Sequence, residues 1–237
     1  SSSGSGSSNN DSGSDSNNAS ESAKSRADSI RQQMKELRES SRDEIDSIRD
    51  SITQEQETFR KEVEDARTSM EQIREELREF DETSKTQNES LRTEITNLSN
   101  DFKTFNYEQR DEIDKLRDEL KSLPRSERKK KREQYKNRID QIRDSIDSKR
   151  EAKERQVEAI RANIERKKES DRKHKEQERE RIKKIQDSLN SKREAYSKSI
   201  ENQRDKISKI RDDTTSNLDS LKDDLDRIIE EEQERKE

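Results

Sequence analysis

The chain lacks several residue types on which other architectures depend. It has no cysteine, one proline and three glycines, all three before residue 14, and aromatic residues make up 3% of its 237 residues. Without cysteine there is no disulfide framework and no thiolate metal site. That absence fits a reducing compartment and slightly favours the cytoplasm, but it does not exclude secretion. Because β-branched and aromatic runs are also absent, strands have no support.

Long apolar runs are absent as well. No run approaches the roughly 20 residues needed to span a bilayer, or the roughly 7–15 residues of a signal peptide. We therefore expect no membrane-spanning segment. The chain begins with Ser rather than Met, so we expect a processed chain or a fragment, from which a secretion signal could have been removed.

The chain is instead rich in charge. Charged residues make up 48% and hydrophobic residues 21% of the sequence, against about 25% and 45–50% in a typical globular domain. So few apolar residues cannot fill a compact core for a chain of this length. The remaining possibilities are disorder and long helices that share a narrow apolar seam.

Residues 1–20 consist of Ser, Gly, Asn and Asp with one Ala. We predict that residues 1–22 are a disordered tail or linker. After them, apolar residues recur in steps of three and four. They form a first stripe from Ile30 to Leu123 and a second stripe of equal length from Tyr135 to Ile228. This spacing is typical of coiled coils. The sequence therefore predicts an all-α fold with one helix over residues 23–123 and a second over 135–237.

The break between the two stripes predicts that the chain reverses. Pro124 disfavours a helical Leu123 and suits the first turn of a new helix, and we predict a basic turn over residues 124–134. Folding about residue 129 places Ser84 opposite His174, and Phe80 opposite Glu178. Residues 167–178 have no apolar side chain on the stripe and resemble a charged single helix held by pairs four residues apart.

Charge favours the same antiparallel hairpin. Residues 43–123 carry a net −11 and their mirror segment 135–215 a net +7, while residues 24–42 carry +3 and their mirror segment 216–234 carries −6. Opposite signs that face each other stabilise a pairing and specify its direction. The alternative is an extended parallel coiled-coil dimer kinked at Pro124, in which each block would face its own sign.

The sequence offers little to catalysis. His174 is the only histidine, so one chain holds no pair of histidines for catalysis or for a metal. Paired carboxylates are frequent, but acid–base chemistry needs an enclosed pocket, which two helices do not supply. No glycine-rich loop follows a strand. We therefore expect no enzyme activity, no cofactor, no metal site and no small-molecule substrate.

The predicted turn is the best candidate binding site. Within residues 124–134, two acidic residues accompany six basic ones, and a charge run of this kind suits a phosphate backbone, an anionic lipid surface or an acidic protein. The simpler interpretation is a solvated turn. A net charge of −5 disfavours nucleic acid, and Tyr135 is the one aromatic beside the basic run. The candidate residues are Arg125, Arg128, Lys129, Lys130, Lys131 and Arg132.

These features predict a non-catalytic structural protein, a rod that acts as a spacer, scaffold or filament subunit. Its lateral association would depend on charge and on extra apolar residues such as Ile229, Tyr107 and Ala159. One alternative is a projecting arm whose basic tip binds a partner protein or an anionic surface. A weaker alternative is electrostatic binding of nucleic acid along the second arm. In layout, a Ser-rich head before a long rod, the chain resembles striated-fibre assemblins and other filament-forming coiled-coil proteins, although the repeat that assemblins carry is not found in it.

Overall fold

A computed structural model describes residues 14–237, and side chains from residue 18 onward. It contains two helices, α1 (Ser14–Ser122) and α2 (Arg125–Glu234). The described chain contains no strand. The two helices pair as an antiparallel hairpin, which confirms the fold predicted from the two stripes. The parallel dimer kinked at Pro124 is not the arrangement observed.

The described chain forms two compact units, and both helices contribute to each. The first unit consists of the residues up to Ala66 together with Asp187–Glu237, and the second consists of Arg67–Gln186. Contacts within the first unit include the hydrogen bond from Thr214 Oγ1 to Ser41 Oγ at 2.9 Å. They also include the stacked rings of Phe59 and Tyr196, whose centroids are 4.5 Å apart.

Helix α1 begins earlier than predicted, because its seam extends through alanines that the stripe had not included. Ala23 is 3% exposed and Ala27 is 7% exposed, and the Ser20 hydroxyl donates a hydrogen bond to Glu232 at 3.0 Å. Alanine has the highest helix propensity, and its small side chain lets a facing helix approach closely. Residues 14–22 of the segment predicted as disordered are therefore helical, and residues 1–13 lie outside the described residues.

The turn is much shorter than the predicted 124–134. Only Leu123 and Pro124 separate the helices, and the basic residues 125–134 belong to α2. The carbonyl oxygen of Pro124 accepts the first helical hydrogen bond, from the Arg128 amide at 2.8 Å. Proline suits this position because it has no amide hydrogen to leave unpaired and its φ is already helical.

The earlier reversal changes which residues face each other. Within the second unit, Ser84 Oγ donates to the Asp171 carboxylate, and the Phe80 ring lies 4.3 Å from the His174 ring between centroids. The predicted partners were His174 for Ser84 and Glu178 for Phe80. The register predicted by folding about residue 129 is therefore wrong by one helical turn.

Residues 167–178 are also more than a single helix held by its own charges. Ion pairs three residues apart are present, such as Arg172–Glu169 at 2.7 Å. However, Lys175 also forms an ion pair with Asp81, and Lys167 Nζ donates to the Ser84 carbonyl at 3.3 Å. The polar stretch of the second stripe thus packs against α1 through hydrogen bonds, an ion pair and the contact between the Phe80 and His174 rings.

Candidate interaction surface

Beside the turn, the second unit contains a cluster of buried apolar side chains. Four side chains form an apolar cluster there, flanked by Phe102, Phe105, Tyr135 and Ile139; the four are Ile113, Leu116, Ile142 and Ile146. The Lys149 and Lys153 ammonium groups lie 4.9 Å and 5.0 Å from the centroids of the Phe105 and Phe102 rings. These cation–π contacts close one end of the cluster with charge.

The six basic residues predicted as a binding tip do not act as one group. Arg128 is half-buried, and its Nη2 donates to the Lys121 carbonyl at 2.7 Å and to the Leu123 carbonyl at 3.0 Å. Those carbonyls end α1 without helical partners, so Arg128 caps the helix. The other five are exposed on the first turns of α2, and no ion pair involves them in the described chain.

Three of those five share a face. Arg125, Lys129 and Arg132 follow steps of four and three residues, which place side chains on one side of a helix. Lys130 and Lys131 lie on other sides of the same turns. The tip is therefore a row of three cations with two more around it, and it can attract an anionic surface without forming a pocket.

A second basic surface was missed from the sequence. One flank of the apolar cluster opens into a groove of about 520 Å³ in which Ile113 and Ile146 meet four arginines. Each helix supplies two of these arginines, seven residues apart. We call this surface the arginine groove, and its arginines are Arg110, Arg117, Arg143 and Arg150.

Each helix contributes two arginines and one aspartate to the arginine groove, so the groove has a net positive charge. Arg150 pairs with Asp147 at 3.0 Å, and Arg117 pairs with Asp114 at 3.7 Å, in each case three residues along the same helix. Arg143 likewise pairs with Asp140 at 3.8 Å, whereas Arg110 has no ion pair among the described contacts. Since both helices present arginines here, cations face cations across the groove, and exposed pairs within one helix offset this only weakly.

The opposite flank of the same cluster is matched in charge. There Arg138 of α2 lies 3.6 Å from Glu112 of α1, and the Tyr135 hydroxyl donates to Glu119 at 3.2 Å. Desolvation, followed by the bond to Glu119, raises the pKa of Tyr135 above its ordinary value. One flank thus joins the helices by opposite charges, while the arginine groove leaves positive charge available to another molecule.

A signal for the arginine groove was present in the sequence. Arg110 and Arg117 lie three residues before Ile113 and four residues after it, and Arg143 and Arg150 flank Ile146 in the same way. Both stripes therefore carry arginine beside the seam at heptad spacing. The net acidic charge of the first arm hid this local pattern.

The described residues contain no cluster of acidic, histidine or cysteine side chains arranged to hold a metal ion. In that same part of the chain, neither helix includes a stretch apolar enough to cross a bilayer. His174 is exposed, and its ring lies against the Phe80 ring at the edge of the seam.

Comparisons with known proteins place the chain in no family. No family model matches it, and no curated protein matches it. A solved coiled-coil segment of Smc from Pyrococcus yayanosii is similar to it, with 21% identity over 93% of this chain and 96% of that one and a TM-score of 0.31. A likeness this low adds no argument about function.

Proposed function

We propose that this chain is a non-catalytic structural coiled coil that acts as a spacer, scaffold or filament subunit by associating with copies of itself. One observation carries the proposal: the buried apolar residues follow the seam between two helices, and charged side chains cover the faces around it. A seam of this kind stabilises an elongated element.

The same observation argues against catalysis. Acid–base and nucleophilic groups need an enclosed site that shifts their pKa values and holds a substrate. The arginine groove is an open surface lined mainly by charged side chains, and it does not enclose a substrate. A structural role requires only that the faces be soluble and able to recognise another surface.

Self-association is favoured by a local excess of positive charge on one surface of the hairpin. The arginine groove brings four cations together, while the net charge of the chain is −5. A molecule with a basic surface and an acidic excess elsewhere is complementary to another copy of itself. Such contacts between exposed charges weaken as salt screens them.

Light scattering and sedimentation velocity over rising protein concentration test this proposal. At low ionic strength we expect the mean particle mass to increase with concentration, and added salt should reverse the increase. A chain that stays monomeric at every concentration and salt level would contradict self-association.

A second candidate function is an interaction arm that binds through its tip. The observation that favours it is the exposure of five cations beside the turn, which form no ion pair in the described chain. These residues are Arg125, Lys129, Lys130, Lys131 and Arg132. The partner would be an acidic protein patch or an anionic surface.

Flotation with phosphatidylserine vesicles tests the tip. Replacing Lys129, Lys130 and Lys131 by glutamine should abolish flotation, whereas the matched change at exposed Lys173, Lys183 and Lys184 should not. Equal loss in both variants would indicate a response to net charge alone. Binding of duplex DNA through α2 is a weaker candidate, and affinity that does not fall with added salt would count against that electrostatic account.

A further inference from the structure

We propose that the arginine groove receives an acidic stripe of a second copy of this chain. This inference rests on the proposed self-association and identifies the two surfaces that would meet. The acidic stripe consists of four exposed residues of α2 in the first unit: Asp219, Asp223, Asp226 and Glu230.

The acidic stripe is exposed and free of ion pairs in the described chain. Its members follow one another by four, three and four residues, so they lie on one face of the helix. The seam residues Leu221 and Leu225 lie on a different face. The neighbouring ion pairs, Arg227–Asp224 and Lys236–Glu232, do not involve the stripe.

The spacing of the two surfaces agrees. In the arginine groove, Arg143 and Arg150 are seven residues apart, as are Asp223 and Glu230 in the acidic stripe. Seven residues of α-helix span about 10 Å. A helix laid along the groove can therefore present a carboxylate at each arginine level, and the groove volume of about 520 Å³ has room for its side chains.

The exposed hydrophobic residues support the same contact. Tyr107 is 77% exposed and Ile229 is 38% exposed; they are the large apolar side chains that the described chain leaves open to solvent. Tyr107 lies one turn from Arg110 of the groove, and Ile229 lies one turn from Asp226 of the stripe. Each charged surface thus has an apolar residue at its side, and burying the two together would add to the electrostatic attraction.

A carboxylate partner matches the chemistry of the groove. The planar fork of arginine binds carboxylates with two parallel hydrogen bonds. Asp114 and Asp147 also line the groove, so a partner has to present its negative charges at the arginines and away from these two aspartates. The stripe carboxylates form no ion pair in the described chain, so the stripe remains available to a second molecule.

Sedimentation velocity at low ionic strength tests the groove directly. The groove variant Arg110→Gln/Arg143→Gln should associate at least about tenfold more weakly than the original chain, since it loses two charge-assisted contacts. The control variant Arg74→Gln/Arg155→Gln removes the same charge from exposed positions outside the groove. It should associate as the original chain does, and circular dichroism should show equal helicity in all three.

A charge exchange then identifies the partner surface. We expect no self-association through these surfaces in either of two variants. In the groove variant Arg110→Glu/Arg143→Glu, an acidic groove would meet the acidic stripe. In the stripe variant Asp223→Arg/Glu230→Arg, the basic groove would meet a stripe that carries arginines. A mixture of the two should associate, because each then complements the other. This recovery would exclude misfolding as the cause of the losses.

The outcomes separate this inference from the proposed function. If the groove variants associate as strongly as the original chain, the groove assignment is wrong and self-association stands. If the original chain stays monomeric at all concentrations, both are wrong. If groove changes abolish binding to duplex DNA and leave self-association intact, the groove is a polyanion site and the inference is overturned.

Discussion

Two stretches of the seam in the second unit join the helices by different kinds of contact. Beside the turn, Ile113 and Leu116 of α1 enclose Ile142 and Ile146 of α2 in an apolar cluster. Further along, Ser84 is 9% exposed and is satisfied by the Asp171 carboxylate instead. One stretch is held by apolar burial and the other by polar groups that need particular partners.

This difference indicates that the stability of the hairpin and the register of its helices depend on different stretches of the seam. Apolar layers of similar size tolerate a shift by one turn, because each side chain meets another of its kind. A buried hydroxyl does not, because leaving it without a partner costs about 1–3 kcal/mol. We infer that apolar layers such as this cluster stabilise the second unit, and that Ser84 with Asp171 selects the register, as polar layers do in other coiled coils.

Truncation in the apolar cluster should have the largest effect. Leu116 is 4% exposed, and Leu116→Ala should lower the free energy of unfolding by about 2–4 kcal/mol because it removes buried methyl groups and leaves a cavity. Urea denaturation followed by circular dichroism measures this. Lys115→Ala, at the exposed neighbouring position, should stay within about 0.5 kcal/mol. Equal effects of the two changes would show that the cluster is not packed as described.

Replacing the polar layer should act in the opposite direction. Ser84→Leu/Asp171→Leu should raise the free energy of unfolding by about 1–2 kcal/mol, because a polar pair is exchanged for apolar packing. It should also admit other registers or oligomers, which sedimentation velocity would detect. Thr83→Leu/Ser170→Leu, at the exposed positions next to the layer, should do neither. A destabilised double-leucine variant with one oligomeric state would contradict the assignment of register to this layer.

The cap at the end of α1 should have a smaller effect than either layer. Arg128→Ala leaves the Lys121 and Leu123 carbonyls without their guanidinium donor and should cost about 1 kcal/mol of stability. Lys130→Ala, on the same turns but exposed, should change stability by less than about 0.5 kcal/mol. Thermal unfolding of the two variants measures the difference. If Arg128→Ala is as stable as Lys130→Ala, Arg128 belongs to the binding tip and does not cap the helix.

The smallest effect belongs to exposed ion pairs of the polar stretch. A hydrogen bond from Arg172, followed by its charge, lowers the pKa of Glu169. Because the folded pKa lies below the unfolded one, the pair stabilises the fold above the unfolded pKa, and that stability is lost as pH falls through the folded pKa. NMR titration should give a Glu169 midpoint below the usual glutamate value, and Arg172→Ala should restore it. If the Glu169 midpoint is unchanged in Arg172→Ala, the contact with Arg172 is not what lowers this pKa.

The hairpin could be predicted because its causes are periodic. Stripes of equal length from Ile30 and from Tyr135, with Pro124 between them, specify two helices that pair along one seam whatever the details of the turn. Charge blocks of opposite sign then specify the antiparallel direction. None of this depends on the identity of any single pair.

The register and the interaction surface could not be predicted in the same way, because they depend on single contacts. The length of the turn follows from how Arg128 caps α1 and how Pro124 starts α2, and an error of a few residues there shifts every layer by one turn. Summed charge also concealed the arginine groove, since Arg110 and Arg117 belong to an arm whose total is acidic. The positions of individual charged residues determine such a site, whereas the total charge of an arm does not reveal it.

The antiparallel pairing within one chain, with Ser84 facing Asp171, is tested most directly by an engineered disulfide. The chain has no cysteine, so Ser84→Cys/Asp171→Cys introduces one defined pair. Ser84→Cys/His174→Cys is its control, because residues one turn out of register exceed the short span that a disulfide bridges. After mild oxidation, non-reducing gels and thiol alkylation should show a monomer whose thiols are lost in the first variant and retained in the second. Disulfides found only between two chains, or formed more readily with residue 174 than with residue 171, would contradict the account.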